Sequence, residues 1–123
     1  MSKIVSMCVV ALIAASLSIN SAFAHAELQS AEPAAGLAAT TSPKQIRITF
    51  NEAVIPLFSG VELKDQAGRV IATGKAVIDP ANKNVLVVPI SEQLMSGTYK
   101  VEWHAVSNDT HRVKGNYAFS VGR

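Results

Sequence analysis

Downstream of residue 24 the chain breaks into short runs in which apolar and polar residues alternate, each closed by Pro, Gly, Asn or Asp. That alternation limits the fold more than any other feature. Successive strand residues point to opposite sides, so a period of two gives one face to a core and the other to water. In Gln45-Ile46-Arg47-Ile48-Thr49-Phe50 the apolar residues share a face. Val61 and Leu63 alternate with Glu62 and Lys64. Asp65-Gln66-Ala67-Gly68 then supplies turn chemistry before Arg69-Val70-Ile71-Ala72, which predicts a hairpin. Asn84 to Ile90 is more uniformly apolar, as in a strand covered on both faces, and Pro89 predicts that its end lies near an edge. Thr98 to Val106 sets Tyr99, Val101, Trp103 and Ala105 against Lys100, Glu102 and His104, and the aromatic face belongs in the core. Asn116 to Val121 aligns Tyr117, Phe119 and Val121, while Pro33 to Pro43 reads as an extended, Ala-rich connection. No segment sustains a helical period. The pattern predicts an all-β, immunoglobulin-like sandwich of about seven strands, with a small closed barrel as the alternative.

The first 24 residues follow another rule. Lys3 precedes an apolar run from Ile4 to Ile19, and the run gives way to the small-residue tail Ser21-Ala22-Phe23-Ala24. A basic end, a short apolar run and an A-x-A-like tail predict a secretory signal over residues 1–24, cut after Ala24. The run is shorter than the ~20 residues that span a bilayer, so no membrane insertion is expected after cleavage. Residues 25–123 would then form one domain of a size at which such sandwiches support themselves. Cleavage removes the only cysteine, Cys8, and leaves neither a disulfide nor a thiolate ligand. The nearly balanced charge that remains gives no electrostatic case for nucleic acid as a partner.

The same cut would make His25 the first residue, with an amine and an imidazole able to chelate one metal ion. Their ordinary pKa values, about 7.7–8.0 and about 6.5, let a metal displace both protons near neutral pH. Alone, His25 reads more readily as a frayed residue in solvent. Asp109 and His111, spaced i, i+2, share a face in an extended backbone, where a carboxylate can complete a metal site or orient the ring. Ser107-Asn108-Asp109 also reads as a turn. His104, between Lys100 and Glu102 on the polar face, reads as a solvated strand residue. No nucleophile elbow, phosphate-cradling glycine loop or zinc helix motif is present, so an enzyme has no motif to stand on.

Four segments occur in one order: His25-Ala26-Glu27-Leu28, Ser30-Ala31-Glu32-Pro33-Ala34-Ala35-Gly36, Ile48-Thr49-Phe50-Asn51-Glu52-Ala53-Val54, and Gly97 to Val121 with Tyr99, Trp103, Ser107, Asp109-Thr110-His111, Gly115 and Phe119-Ser120-Val121. Together they resemble the copper resistance protein C (CopC) family of bacterial periplasmic copper-binding proteins. The resemblance implies a Greek-key β-barrel or sandwich with one Cu(II) per chain. It implies ligation by His25, Asp109 and His111, with Glu52 as an outer ligand or an acceptor behind the ligands, and Trp103 near the site. It further implies a periplasmic carrier or buffer in copper homeostasis and resistance, not an enzyme, that works beside an inner-membrane copper transport partner; the chain itself is expected to be a monomer. Two departures stand out. Thr110 occupies a position where the family commonly has glycine, and a β-branched residue disfavours positive φ, so an altered motif geometry is expected. The mature chain keeps one methionine, Met95, too little for the methionine-rich Cu(I) site of some members, so a Cu(II)-only protein is expected. The alternatives are an oxidative copper enzyme, since polysaccharide monooxygenases also hold copper by an N-terminal histidine, and a metal-free interaction module.

Overall fold

In a computed structural model that describes residues 26–122, the alternation of Gln45–Phe50 becomes strand β3, with Ile46, Ile48 and Phe50 wholly buried. The expected signal segment, its cleavage point and His25 lie outside the described residues. The other strands are β1 (Leu28–Glu32), β2 (Ala38–Ala39), β4 (Gly60–Asp65), β5 (Val70–Ile71), β6 (Val77–Asp79), β7 (Asn82–Pro89), β8 (Gly97–Val106) and β9 (Arg112–Val121). One 3-10 turn covers Pro56–Phe58. Among the described residues no helix is long and apolar enough to cross a membrane.

The strands form two sheets, ordered β1-β3-β7-β6 and β2-β9-β8-β4-β5, antiparallel except where β2 runs parallel to β9. Each sheet keeps two edges, so the fold is a sandwich and not a closed barrel. Between the sheets Ile46, Ile48 and Phe50 meet Leu63, Leu86, Val88, Val101 and Phe119 in one core. Rings reinforce it: Tyr99 stacks on Phe119 at 5.7 Å, and Phe50 of one sheet meets the edge of Trp103 of the other at 5.5 Å. Aromatic pairs in such offset or edge-on arrangements add to the burial of their area.

Nine strands are found among the described residues where about seven were expected. Strands β1, β2 and β6 lie outside the six runs read from sequence: β2 and β6, two and three residues long, are too short to show a period, and β1 has no fully buried residue to mark a face. The expected hairpin is present, with Leu63 opposite Ile71 and Lys64 opposite Val70. Strand β7 buries Leu86 and Val88 toward the core and Val85 on the opposite face, and it is an inner strand. Pro89 is tolerated there because it lies beyond the last pairing with β6, Val77 with Val87, where its neighbour has ended. Strand β9 begins at Arg112, four residues earlier than its apolar pattern suggests, because ten consecutive pairings with β8 hold it.

Candidate metal centre

Strands β8 and β9 are joined by the segment that carries Asp109 and His111. The Ser107 N–H donates to the His111 carbonyl at 3.1 Å, and the Thr110 N–H donates to the Ser107 carbonyl at 2.8 Å. The loop is therefore Asn108-Asp109-Thr110, of the three-residue kind in which a turn is followed by one residue in the left-handed region. That residue is Thr110, at φ 71°. A β-branched residue thus holds the positive φ that such residues disfavour. The hairpin imposes the left-handed conformation on a side chain that resists it, and ten rungs of β8–β9 pairing hold it there.

The turn, not an extended strand, brings the two side chains together. His111 Nδ1 lies 3.0 Å from Asp109 Oδ2, and the His111 N–H donates to Asp109 Oδ1 at 3.2 Å. The Ser107 hydroxyl donates to the same Oδ1. The Ser107 hydroxyl is the largest cause that brings the Asp109 carboxyl down to about 2, followed by the His111 ring and the His111 N–H. Each of these favours the ionised form. The result is an anion against an imidazole, both about half exposed at the end of the sandwich.

Ser107 anchors this hairpin. It is completely buried and bridges Val54 on the neighbouring segment. The Ile55 N–H donates to the Val106 carbonyl at 2.8 Å, and the Ser59 hydroxyl accepts from the Val106 N–H at 3.0 Å while donating to the Ile55 carbonyl. The chain start is tied to the same stretch. Ala26 is buried in the core cluster, the Glu27 N–H donates to Asn51 Oδ1 at 2.7 Å, and the Asn51 N–H donates to the Glu27 carbonyl at 3.0 Å. Residues 51–54 thus hold the Asp109–His111 hairpin on one side and the start of the described chain on the other. Sequence reasoning took Ser107 as a turn former and as part of the family pattern, and gave neither it nor Asn51 a role at the site. An amide side chain where a buried strand ends was the available signal.

Glu52 sits half-buried in this segment, but among the described residues no group of three His, Cys, Asp or Glu side chains is close enough to hold a metal ion. Glu52 therefore does not join Asp109 and His111 there. Trp103 packs edge-on against Phe50, four residues up β8 from Ser107, about 13 Å along the strand. Its indole lies against Gly115, where a Cβ would stand 2.6 Å from Trp103 Cζ2. His104 is exposed on the outer face, opposite Gly60 and Lys114, away from the pair.

A family model described as the CopC domain matches residues 28–122. Protein YobA of Escherichia coli K12 is 39% identical over 111 residues, which cover 90% of each chain. Copper resistance protein C of Xanthomonas campestris pv. juglandis is 37% identical over 118 residues, covering 91% of each. The crystal structure of PcoC, a methionine-rich copper resistance protein from Escherichia coli, superposes with a TM-score of 0.72 at 37% identity, covering 80% of this chain and 99% of that one.

Proposed function

Since the chain belongs to the CopC family, we propose that it is a periplasmic copper protein, a non-enzymatic carrier or buffer that takes one Cu(II) at a site made by His25, Asp109 and His111. The observation that carries this reading is the Asp109–His111 contact on a hairpin fastened to the same residues, 51–54, that fasten the chain start. Copper is the cargo. Nitrogen and carboxylate donors suit Cu(II), which also stands highest among the divalent ions in affinity for such sites. A carboxyl held at about 2 needs no proton removed before it faces a cation at neutral pH. In the same contact it fixes the His111 ring through Nδ1, the arrangement by which carboxylates orient metal-binding histidines.

The reading requires export and cleavage after Ala24, so that His25 supplies both amine and ring. Ala26, buried one residue later, gives such a terminus a fixed base. Glu52, on the segment that fastens the hairpin, is proposed as an outer partner of the ion or of its ligands. Cu(I) is not expected as cargo. Met95, the only methionine beyond the expected signal, stands exposed two residues before β8, at the opposite end of that ten-residue strand from the hairpin. PcoC, by contrast, is described as methionine rich. Delivery to an inner-membrane copper transport protein is the accompanying partner proposal.

Intact-mass measurement of the exported protein should show a chain that begins at His25 and gains one copper ion. His111→Ala should weaken Cu(II) binding at least a hundredfold and His104→Ala less than about threefold, since loss of one good donor is worth several kcal/mol. A start at another residue, or greater damage from His104→Ala, would refute the site.

A further inference from the structure

Beyond the ligands themselves, we infer that Asn51 is a positioning residue for the metal site, using its side-chain carbonyl to hold the chain start at the distance where the terminal amine and the Asp109–His111 hairpin share one ion. This role rests on the reading that the amine of the mature chain is a copper donor.

The β1–β3 ladder proper ends at Leu28 opposite Phe50. One step further the chain turns away from β1, bending at Asn51 and Glu52 toward Val54 and its bridge to Ser107. A residue there faces two demands. Its backbone must leave the sheet to reach the hairpin, yet the strand beside it needs one more rung to keep Glu27 in place. Asn51 meets both. Its N–H still donates to the Glu27 carbonyl at 3.0 Å, and Oδ1 takes the Glu27 N–H at 2.7 Å in place of a backbone carbonyl. The side chain is exposed and belongs to no core cluster, so its bonds to Glu27 are its contribution. A single residue, Ala26, separates Glu27 from the proposed terminal ligand. A shift or fraying at Glu27 is passed directly to that ligand, because a short covalent arm has few dihedrals with which to compensate.

The test measures Cu(II) affinity by competition with a chelator of known strength, in the mature chain and in a chain with one extra residue before His25. Asn51→Ala in the mature chain should weaken binding about three- to tenfold, the range to which the net worth of one hydrogen bond converts. In the extended chain, whose amine is already an amide, the same substitution should change affinity less than about twofold. Such non-additivity marks two changes acting on one interaction. Asn51→Asp keeps the acceptor, so the difference between its losses in the mature and extended chains should be smaller than that of Asn51→Ala. Any general gain from its added charge appears in both backgrounds and cancels. Equal affinity of Asn51→Ala and the unsubstituted mature chain overturns the role, and so does an equal loss in both backgrounds, which would mark a merely structural residue. If the extension alone leaves affinity unchanged, the amine site fails, and the role of Asn51 fails with it.

Discussion

Thr110→Gly should leave the hairpin unchanged and make the protein equal in stability or more stable, the reverse of what glycine does at an ordinary exposed strand or turn position. An L-residue held in the left-handed region costs about 1–2 kcal/mol, and a β-branched one at φ 71° sits toward the upper end. Glycine removes that cost. It adds about 0.5–1 kcal/mol of backbone entropy to be lost on folding. It also gives up the hydrogen bond from the Thr110 hydroxyl to the Asp109 carbonyl, about 0.5 kcal/mol at an exposed site. The balance lies between about zero and 1 kcal/mol in favour of glycine, with the upper end raising Tm by about 4–8 °C for a domain of this size. Thr110→Val keeps the branching and loses the hydroxyl, so it should fall about 0.5 kcal/mol below the parent. Urea denaturation of the metal-free protein measures all three, and an unchanged slope in denaturant would show that the denatured state is comparable. A glycine variant more than about 0.5 kcal/mol less stable than the parent, or ranking below Thr110→Val, would mean that the loop does not strain this residue.

Gly115→Ala should cost about 1–3 kcal/mol, because the new Cβ displaces the Trp103 indole. The emission of this sole tryptophan should move to the red, and unchanged emission with unchanged stability would count against the packing described. Asp109 has a folded pKa lowered to about 2, so its contribution to stability is complete above the ordinary carboxyl value of about 3.8 and is lost as pH falls from there toward 2. Parent and Asp109→Ala should therefore differ in denaturation midpoint at pH 6 and converge near pH 2; a gap of the same size at both would refute the assignment. Anaerobic competition with a Cu(I) chelator should strip Cu(I) readily, and retention comparable to that of Cu(II) would reveal a soft site elsewhere.

The sandwich was legible because burial follows parity. Ile46, Ile48 and Phe50, like Tyr99 and Val101, alternate cleanly and are all buried. Where pairing rather than side-chain chemistry decides, parity is silent. Ala38–Ala39 joins a sheet through parallel pairing with Ser120 and Val121, and Arg112 to Gly115 are strand residues because β8 lies opposite. At the site, the spacing of Asp109 and His111 identified the pair through the wrong geometry. They meet across a turn whose backbone bonds to Ser107 set the side-chain distance. The positive φ of Thr110 was not legible either, since the identity of a loop residue tells what a conformation costs and not whether the flanking strands can impose it. Asn51 was invisible for a different reason. Its role depends on where the chain must go next, which no local pattern encodes.

On the proposed reading, the placement of the donors bears on how the ion is released as well as how it is held. A copper site closed inside the core would exchange slowly, because opening it would cost packing. Here the hairpin pair stands half exposed at one end of the sandwich, and the remaining donor sits on a chain terminus tied down by Asn51 and Ala26. Detaching that terminus breaks few contacts, so a competing ligand can displace it first and leave the ion on two donors. The softest residue in the described chain, Met95, is at the far end of β8, roughly 30 Å away, and cannot retain copper after reduction. On that reading the terminal arm is the first donor a competing ligand displaces, while Asp109 and His111 keep the ion until the competitor takes it over.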